Sequence, residues 1–405
     1  MARIGIRNAL FQIHDSRLAH VSPRTCDQQA LNGGMSTEFD IFLAGQPGLE
    51  PLLAQEARDH GFADPQPTAG GVTTRGPWSE VWRANLTLRG AGRVLVRIGS
   101  FRAFHLAQLD KRARKFDWAA FLRPDIPVRV EATCRNSKIY HDRAARQRVE
   151  RAITETLGAP IQPEAAIRVL VRIEDDLVTL SLDTSGEPLH RRGHKEAVGK
   201  APMRETLAAL FLRECGYDGQ EPVLDPMCGS GTFLLEAAEI AAGLHPGRSR
   251  EFAFEHFAGF DTAAWGAMTQ SAPEIAPETA PQIRFYGSDR DDGAIRGASA
   301  NAKRAGVADW CQFSRAPVGE VQRPDGPPGL VIVNPPYGAR IGNRKLLFSL
   351  YGSFGQIMRE RFAGWRVGLI TSDGGLAKAC DLPFTSGPPV SFGGLKVKLY
   401  KTGAL

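Results

Sequence analysis

The second half of the sequence repeats one pattern, in which a short apolar strand is followed by a polar loop and a helix. The predicted strands are Val223–Leu224, Ile283–Ser288, Leu330–Val333, Arg366–Thr371 and Leu395–Tyr400, and the predicted helices are Thr232–Ala242, Ala294–Ala305 and Lys345–Phe362. Strands that are joined through helices pair in parallel, and the helices cover both faces of the sheet. The pattern therefore predicts an α/β fold with a mostly parallel sheet for residues 200–405, with a surface insertion at 264–281.

Residues 36–190 have a mixed pattern, which predicts an α+β module ahead of the parallel sheet. Its predicted strands are Asp40–Ala44, Val94–Ile98, Val128–Ala132, Ile167–Ile173 and Val178–Leu182, and its predicted helices are Pro47–Arg58, Leu106–Leu122 and Asp142–Leu157. Asp175 and Asp176 mark a hairpin turn between the last two strands. The preceding residues 1–35 show no sustained period, and we predict that they form a disordered extension, with Met35 as the natural start.

Positive charge is concentrated in one internal stretch of the chain. The net charge of the whole chain is +6, whereas Arg83–Arg151 alone holds 17 basic and 6 acidic residues, a net charge of +11. A basic surface on a folded module is the electrostatic pattern expected of a protein that binds a polyanion, and an ordinary solvated surface is the alternative. The predicted contacts to the polyanion lie on two helices and are Arg112, Lys115, Arg143 and Arg146.

The cysteines and the hydropathy exclude several classes of protein. The six cysteines are scattered and form no C-x-x-C pair, which argues against a zinc ribbon or a disulfide framework and fits a reducing cytoplasm. The sequence has no run of about 18 apolar residues, so we predict neither a transmembrane helix nor a membrane partner. His190 and His194 have an i, i+4 spacing without an acid or thiol in register, and no metal site is predicted.

A glycine-rich loop, Asp225–Thr232 (DPMCGSGT), follows the first strand of the parallel sheet. Gly229 and Gly231 allow a sharp turn and a close approach to a ligand, and the following helix offers free N–H groups. The loop lacks the last glycine of a dinucleotide fingerprint and the lysine of a P-loop. A carboxylate beside backbone donors suits the amino-acid end of S-adenosylmethionine. The predicted cofactor contacts in this loop are Asp225, Pro226, Cys228, Gly229, Gly231 and Thr232.

A second acidic position lies at the end of the next strand. Asp289 is placed where a carboxylate can accept hydrogen bonds from both ribose hydroxyls of a bound nucleoside. Asp291 and Asp292 follow closely and are alternatives for the same role. We therefore predict that Asp289 is a further cofactor contact.

The third motif, Asn334–Tyr337 (NPPY), directly follows a buried strand. An exocyclic amine of a nucleobase is a poor nucleophile, because its lone pair is conjugated with the ring. The Asn334 side-chain oxygen and the Pro335 carbonyl can accept its N–H bonds, and proline fixes the backbone that holds this carbonyl. Tyr337 offers a face on which a flipped-out base can stack. The predicted catalytic residues are Asn334, Pro335, Pro336 and Tyr337, and Asn334 is also predicted to contact the cofactor.

In this order, the three motifs resemble motifs I, II and IV of class I methyltransferases that act on exocyclic amines. The segments Leu189–Lys195 (LHRRGHK), Ala201–Ala209 (APMRETLAA) and Leu88–Leu122 are similar to the corresponding segments of the family of 23S rRNA guanine-N2 methyltransferases. The resemblance covers roughly residues 38–401. It implies a Rossmann-like class I methyltransferase domain that uses S-adenosylmethionine and is preceded by an RNA-binding module.

The resemblance also implies a division of the chain and a reaction. A ferredoxin-like part is expected at 36–100, a THUMP RNA-binding domain at 101–190, and the methyltransferase domain at 200–405. The implied reaction is direct methyl transfer to the N2 amine of a flipped-out guanosine in 23S rRNA. The implied partner is this RNA, or the assembling large ribosomal subunit, in the cytoplasm.

One position departs from the family pattern, and three alternatives remain open. Pro317 stands near the place where the family has an acid that faces the adenine of the cofactor. A tRNA guanine-N2 methyltransferase shares every motif, and a DNA adenine-N6 methyltransferase would also use the NPPY loop. A non-catalytic RNA-binding ribosome-assembly factor is the alternative from a different class, and binding of S-adenosylmethionine would separate it from the enzymes.

Overall fold

The computed structural model describes residues 38–196, 203–271, 285–337 and 344–405, and the predicted extension 1–35 lies outside the described residues. The strands are β1 (Phe39–Ala44), β2 (Ala63–Thr68), β3 (Gly71–Gly76), β4 (Arg93–Arg102), β5 (Val128–Arg135), β6 (Ile167–Glu174), β7 (Leu177–Asp183), β8 (Val223–Asp225), β9 (Phe285–Asp289), β10 (Cys311–Arg315), β11 (Leu330–Val333), β12 (Arg366–Thr371), β13 (Thr385–Ser386), β14 (Val390–Phe392) and β15 (Leu395–Lys401). The helices are α1 (Glu50–Asp59), α2 (Trp78–Thr87), α3 (Leu106–Arg114), α4 (Asp142–Leu157), α5 (Glu205–Glu214), α6 (Thr232–Ala241), α7 (Thr262–Gln270), α8 (Asp292–Ala305), α9 (Arg344–Arg361) and α10 (Gly374–Ala379). Within the described ranges, none of these helices is long and apolar enough to cross a membrane.

The N-terminal module is built on one seven-stranded sheet of order β2-β3-β1-β4-β7-β6-β5. Its neighbouring strands are antiparallel, except that β5 and β6 are parallel. The boundary that the sequence predicts at residue 100 falls inside β4, which pairs with β1 on one side and with β7 on the other. The predicted ferredoxin-like and THUMP parts therefore share one continuous sheet.

The helix predicted over Leu106–Leu122 is too long, because α3 ends at Arg114 and a short 3-10 turn follows at Trp118–Ala120. Trp118 is buried, and its indole Nε1 donates a hydrogen bond to the Ala113 carbonyl at 2.8 Å. Its ring also packs edge-on against Phe116, with ring centroids 4.7 Å apart. The helix ends where the chain turns to bury Trp118 against the half-buried Phe116.

The second half of the chain forms an eight-stranded sheet, and the predicted parallel α/β architecture is confirmed. The strand order is β10-β9-β8-β11-β12-β15-β13, with β14 paired to β15. Strands β8 to β12 pair in parallel, and β15 runs antiparallel to β12. Helix α7 has no buried residue and forms the first part of the predicted surface insertion. The remainder of that insertion, from residue 272, lies outside the described residues.

A buried ionic cluster joins the N-terminal module to the parallel-sheet domain. The Arg89 Nη1 lies 3.0 Å from Glu236 Oε2 and 3.2 Å from Glu239 Oε2, both on α6. Arg192 contacts Glu236 at 3.1 Å, and Arg248 contacts Glu239 at 2.8 Å. We call these five residues the arginine–glutamate cluster. Because α6 begins at the glycine-rich loop, the cluster ties the position of that loop to the N-terminal module.

Candidate active site

Three of the predicted site residues lie at one edge of the parallel sheet, because the strands that carry them end there. Asp225 is the last residue of β8, Asp289 is the last residue of β9, and Asn334 follows β11 directly. Strand β8 pairs in parallel with both β9 and β11. The carboxyl ends of parallel strands are where ligands bind in open α/β sheets. The sheet therefore brings together motifs that are far apart in the sequence.

The glycine-rich loop between β8 and α6 is held against β9 by hydrogen bonds of its own backbone. The Cys228 N–H donates to the Ser288 carbonyl at 3.0 Å, and the Gly229 N–H donates to Asp289 Oδ2 at 3.1 Å. Gly231 precedes α6 with φ of 80°, in the left-handed region that favours glycine. The predicted contact Pro226 is buried in the same loop. The loop therefore has a fixed shape before any ligand binds.

Asp225 is a buried carboxyl group with a strongly shifted pKa. It is 2% exposed, and its Oδ1 accepts a hydrogen bond from the Met227 N–H at 3.1 Å. Burial raises the pKa of Asp225 to about 8, and the nearby charge of Asp289 acts in the same direction. At pH 7 the group is therefore mostly protonated in the free protein. Burial also raises the pKa of the Cys228 thiol, which stays neutral.

Asp289 and its two alternatives, Asp291 and Asp292, make different contacts in the structure. Asp289 Oδ1 accepts a hydrogen bond from the Asp291 N–H at 2.9 Å, while its other oxygen contacts the glycine-rich loop. Asp291 caps α8 through the Gly293 N–H at 2.7 Å, and Asp292 pairs with Arg296 on the surface. Since both alternatives serve α8, Asp289 is the carboxylate placed beside the predicted cofactor loop.

The NPPY loop contains a buried acceptor without a partner. Asn334 Oδ1 is buried and has no hydrogen-bond partner among the residues that the structure describes, and the same holds for Ser288 Oγ on β9. Most buried polar atoms in proteins are hydrogen-bonded, so an orphaned acceptor in a strand-end cleft indicates a place for a ligand. Pro335 is buried, Pro336 is exposed, and Tyr337 is half-buried. Burial raises the pKa of Tyr337 to about 12, so its hydroxyl stays protonated.

Lys195 is a site residue that the motif interpretation missed. Its side chain is buried, and its Nζ donates to Thr232 Oγ1 and to the Met203 carbonyl, each at 2.9 Å. It also pairs with Glu205 at 2.9 Å. Lys195 thus fixes the first residue of α6, which is the predicted cofactor contact Thr232. The sequence places Lys195 and Glu205 in the family-like segments, but their joint contact with α6 depends on the tertiary structure.

Tyr351 of α9 is a second residue that sequence reasoning missed. Its ring is buried, and its hydroxyl lies 3.3 Å from the Pro336 carbonyl and 3.4 Å from Thr371 Oγ1. Tyr351 therefore holds the backbone of the NPPY loop from the side of α9 and β12. No local pattern in the sequence indicates this contact, because it joins a loop to the middle of a later helix.

The position of Pro317 is at the margin of the site. It follows β10 and begins a short 3-10 turn at Val318–Glu320. The adjacent Ala316 N–H donates to the Asp289 carbonyl at 3.1 Å, so this segment lies beside the end of β9. Where the family pattern has an acid, this chain therefore offers a proline ring, which can make only apolar contact.

The four predicted RNA contacts are all exposed, and they are Arg112, Lys115, Arg143 and Arg146. Arg114 of α3 pairs with Glu155 of α4, so the flanks that carry these two residues face each other. At about 100° per residue, Arg112 and Arg146 lie roughly 160–180° around their helices from that ion pair. Arg146 also pairs with Glu150 at 3.3 Å, which reduces its availability to a phosphate.

Two family models match the chain. A model described as the RMKL-like methyltransferase domain matches residues 192–397, and a model described as the RlmL ferredoxin-like domain matches residues 40–95. The glycine-rich loop, Asp289 and the NPPY loop all fall inside the first match. Methyltransferases of this kind use S-adenosylmethionine as the methyl donor.

Two curated relatives are similar over most of this chain. A Synechocystis protein, named as a candidate RNA methyltransferase, is 31% identical over 374 residues, which cover 90% of this chain and 97% of the relative. Ribosomal RNA large subunit methyltransferase K/L of Psychromonas ingrahamii is 33% identical over 346 residues, which cover 83% of this chain and 46% of the relative. The chain thus spans about half the length of the K/L protein.

The solved structures agree with this relationship. SMU.472, described as a candidate methyltransferase and solved with S-adenosylhomocysteine, has a TM-score of 0.81 at 25% identity, covering 92% of this chain and 99% of its own. A Listeria monocytogenes protein, described as "a predicted N6-adenine-specific DNA methylase", has a TM-score of 0.81 at 29% identity, covering 91% and 97%. The family model matches residues 192–397, and the relative from Synechocystis is similar over nearly its whole length. This chain therefore belongs to the family of RMKL-like methyltransferases.

Proposed function

We propose that this chain transfers the methyl group of S-adenosylmethionine to the N2 amine of a guanosine in 23S rRNA. The observation that carries the proposal is the buried, unpartnered Asn334 Oδ1 at the end of β11. This side-chain oxygen has no donor from the described residues, so it is available to accept a hydrogen bond from an N–H of an exocyclic amine. The large-subunit RNA is favoured by the similarity to the K/L relative, which is an rRNA methyltransferase by its name.

The residues of the NPPY loop act on the amine by binding and orienting it. Bound S-adenosylmethionine supplies an electrophilic methyl group. The Asn334 Oδ1 and the Pro335 carbonyl accept the N–H bonds of the amine, which increases electron density on its nitrogen. The Tyr337 ring stacks on the flipped-out base and excludes water from that face. Catalysis therefore comes from positioning and from fixed hydrogen-bond acceptors.

The cofactor fits the residues of the glycine-rich loop. The N-terminus of α6 and the loop N–H groups suit the carboxylate of the methionyl end, and Asp225 suits its ammonium group. Asp289 suits the ribose hydroxyls. Cys228 remains a neutral thiol that lines the loop, and Lys195 holds Thr232 in place.

The experiment that tests the function is methyl transfer from labelled S-adenosylmethionine to total RNA from a strain that lacks the gene, followed by nucleoside analysis. Label in N2-methylguanosine of the 23S fraction is the expected result. Label in tRNA would move the substrate to the first alternative. A parallel reaction with genomic DNA that labels N6-methyladenine would exclude guanine as the target. If an active control enzyme labels the same RNA and this chain labels nothing, a non-catalytic role in ribosome assembly would be favoured.

The raised pKa of Asp225 predicts that cofactor binding releases a proton. The free carboxyl group has a pKa of about 8 and is mostly protonated at pH 7, whereas a bound ammonium group favours the charged carboxylate and lowers the pKa. Affinity should therefore rise as the pH increases from 6 to 8, by at most about tenfold per pH unit for one proton. Calorimetric titration in buffers of different ionisation enthalpy measures the proton release at pH 7.

The control for this prediction is Asp225→Asn, which keeps the shape of the side chain but cannot ionise. This variant should bind S-adenosylmethionine more weakly than the wild type does. It should also release fewer protons on binding, because the proton that Asp225 loses in the wild type is absent. Proton release that is equal in the wild type and in Asp225→Asn would contradict the assignment of Asp225 to the ammonium group.

The contact of Tyr351 with Pro336 predicts a loss of turnover without a loss of cofactor binding. Tyr351→Phe keeps the buried ring and removes only the hydroxyl that holds the NPPY loop. A hydrogen bond of this kind contributes about 1 kcal/mol, so kcat should fall by roughly fivefold while the Kd for S-adenosylmethionine is unchanged. Tyr217→Phe is the matched control, because the buried Tyr217 hydroxyl donates to the Ala237 carbonyl at 2.9 Å, outside the loop. An equal fall of kcat in both variants would show a general effect on the fold.

A further inference from the structure

The largest exposed aromatic side chains of the N-terminal module lie together at one edge of its sheet. Tyr140 is 71% exposed and Phe104 is 41% exposed. Strands β4 and β5 run in the same direction, and helices α3 and α4 begin shortly after these strands end. Phe104 and Tyr140 stand in the two connections between strand and helix. Burying such rings would be the usual outcome of folding, so their exposure indicates a surface that a partner covers.

The connection that carries Tyr140 is fixed in shape by contacts on both sides. Ile139, the residue before Tyr140, is buried in the core of the module. The Lys138 N–H donates to Asp176 Oδ1 at 2.8 Å, and the Asp176 N–H donates to Ser137 Oγ at 3.0 Å. The anchor at Ile139 and the bonds to the β6–β7 turn hold the backbone before Tyr140, and the bond from the Cys134 N–H to Asp142 Oδ1 holds it after Tyr140. The ring is therefore presented to solvent by a pre-organised loop, which lowers the entropic cost of binding.

A lysine and a histidine contact the two aromatic rings. The Lys138 Nζ lies 4.9 Å from the centroid of the Phe104 ring, and the His141 ring lies 4.1 Å from that of Tyr140. Arg135 ends β5 and Arg143 lies in the first turn of α4, so they flank the connection that carries Tyr140, and both are exposed. Among the described residues, neither they nor Lys138 forms an ion pair with a carboxylate. We call Phe104, Arg135, Lys138, Tyr140 and Arg143 the strand-end surface.

The four carboxylates at this edge form no ion pair with those basic residues among the described residues. Asp142 Oδ1 accepts a hydrogen bond from the Cys134 N–H at 2.7 Å, and Asp176 Oδ1 accepts one from the Lys138 N–H. Asp175 lies in the tight turn between β6 and β7, and Glu174, the register partner of Arg135, pairs with Arg172. The side chains of the three basic residues are therefore left for an anionic partner.

We propose that the strand-end surface binds an unpaired segment of the RNA substrate, with bases stacked on Tyr140 and Phe104 and phosphates held by Arg135, Lys138 and Arg143. The proposal rests on the proposed function for the identity of the polyanion as RNA. Bases in a duplex are already stacked on one another, so exposed rings among cations recognise single strands in preference to duplexes. This surface includes Arg143 but not Arg112, Lys115 or Arg146, which lie further along the two helices.

The test compares the affinity of full-length variants for a labelled unpaired RNA of about 12 nucleotides and for a blunt RNA duplex of the same length. Tyr140→Ala should weaken binding of the unpaired RNA by about tenfold and leave duplex binding unchanged, and Tyr140→Trp should restore the affinity. Lys138→Ala should reduce the slope of the logarithm of the binding constant against the logarithm of the salt concentration by about 0.7, the value for one lost phosphate contact to a single strand. Melting temperatures of the variants show that each one is folded.

Leu177→Ala is the matched control, because Leu177 is an exposed apolar residue on the β6–β7 hairpin at the same edge, and it is not aromatic. An unchanged affinity of Tyr140→Ala, an equal loss in Leu177→Ala, or an equal loss for duplex RNA would each overturn the proposal. Methyl transfer is measured separately. Binding through Tyr140 without methyl transfer would overturn only the proposed function, whereas methyl transfer without an effect of Tyr140→Ala would overturn only this surface.

Discussion

Asn334→Ala is expected to lower kcat for methyl transfer by about 10²–10³-fold, the loss typical of removing one fixed hydrogen-bonding group that acts in the transition state. Alanine removes the buried Oδ1 that has no partner among the described residues. The amine would then lose an acceptor at the moment when its nitrogen attacks the methyl group. The Kd for S-adenosylmethionine should change little, because the glycine-rich loop and Asp289 remain. Single-turnover kinetics with saturating cofactor measures the effect.

Asn334→Asp is the control for this prediction, since aspartate keeps an acceptor oxygen at the same place and replaces the amide donor with a second, ionisable oxygen. It should retain more activity than Asn334→Ala. If the two variants lose the same activity, the acceptor role of Oδ1 would be refuted. If Asn334→Ala instead weakens cofactor binding as much as it lowers kcat, the residue would act mainly on the cofactor.

Glu239→Ala is expected to lower the free energy of unfolding by about 3–5 kcal/mol, because it removes one partner from a buried ionic cluster. Glu239 is fully buried between Arg89 and Arg248. Burial alone would raise the pKa of Glu239, but the charges of these two arginines outweigh it and lower the pKa. Alanine would leave the buried Arg89 with Glu236 as its remaining carboxylate partner and would leave Arg248 without its carboxylate. Urea unfolding followed by circular dichroism measures the change.

Glu187→Ala is the matched control for Glu239→Ala. Glu187 also pairs with an arginine, Arg191, but both side chains are mostly exposed to solvent. Exposed ion pairs contribute little to stability, so this variant should unfold at nearly the same urea concentration as the wild type. Equal unfolding midpoints for Glu239→Ala and the wild type would show that the arginine–glutamate cluster does not stabilise the junction between the module and the parallel-sheet domain.

The sequence was sufficient to predict the parallel sheet and to predict that its three motifs lie close to one another. Strand and helix alternate there with little interruption, and the motifs follow strands whose carboxyl ends must meet at one edge. Asp225, Asp289 and Asn334 could therefore be assigned to one site without coordinates. The choice of Asp289 over Asp291 could not be made in this way, because it depends on which carboxylate caps α8 and which one faces the loop.

Contacts between distant segments could not be predicted, and they include several that shape the site. The Tyr351 hydroxyl reaches Pro336, and Lys195 reaches Thr232, through tertiary packing that leaves no local pattern. The extent of α3 was also mispredicted, because burial of Trp118 overrides the helical periodicity of the segment. The ion pair between Arg114 of α3 and Glu155 of α4 is another such contact, because it joins residues 41 positions apart.

The continuous sheet of the N-terminal module limits where this chain can be divided. A fragment that starts at residue 101 would keep β5, β6 and β7 but would lose nearly all of β4, the neighbour of β7. Its β7 would then expose a row of unpaired N–H and C=O groups, and such an edge recruits other strands and promotes aggregation. A soluble RNA-binding fragment of this protein must therefore begin before β1, so gene fusions and domain exchanges should treat residues 38–190 as one indivisible unit.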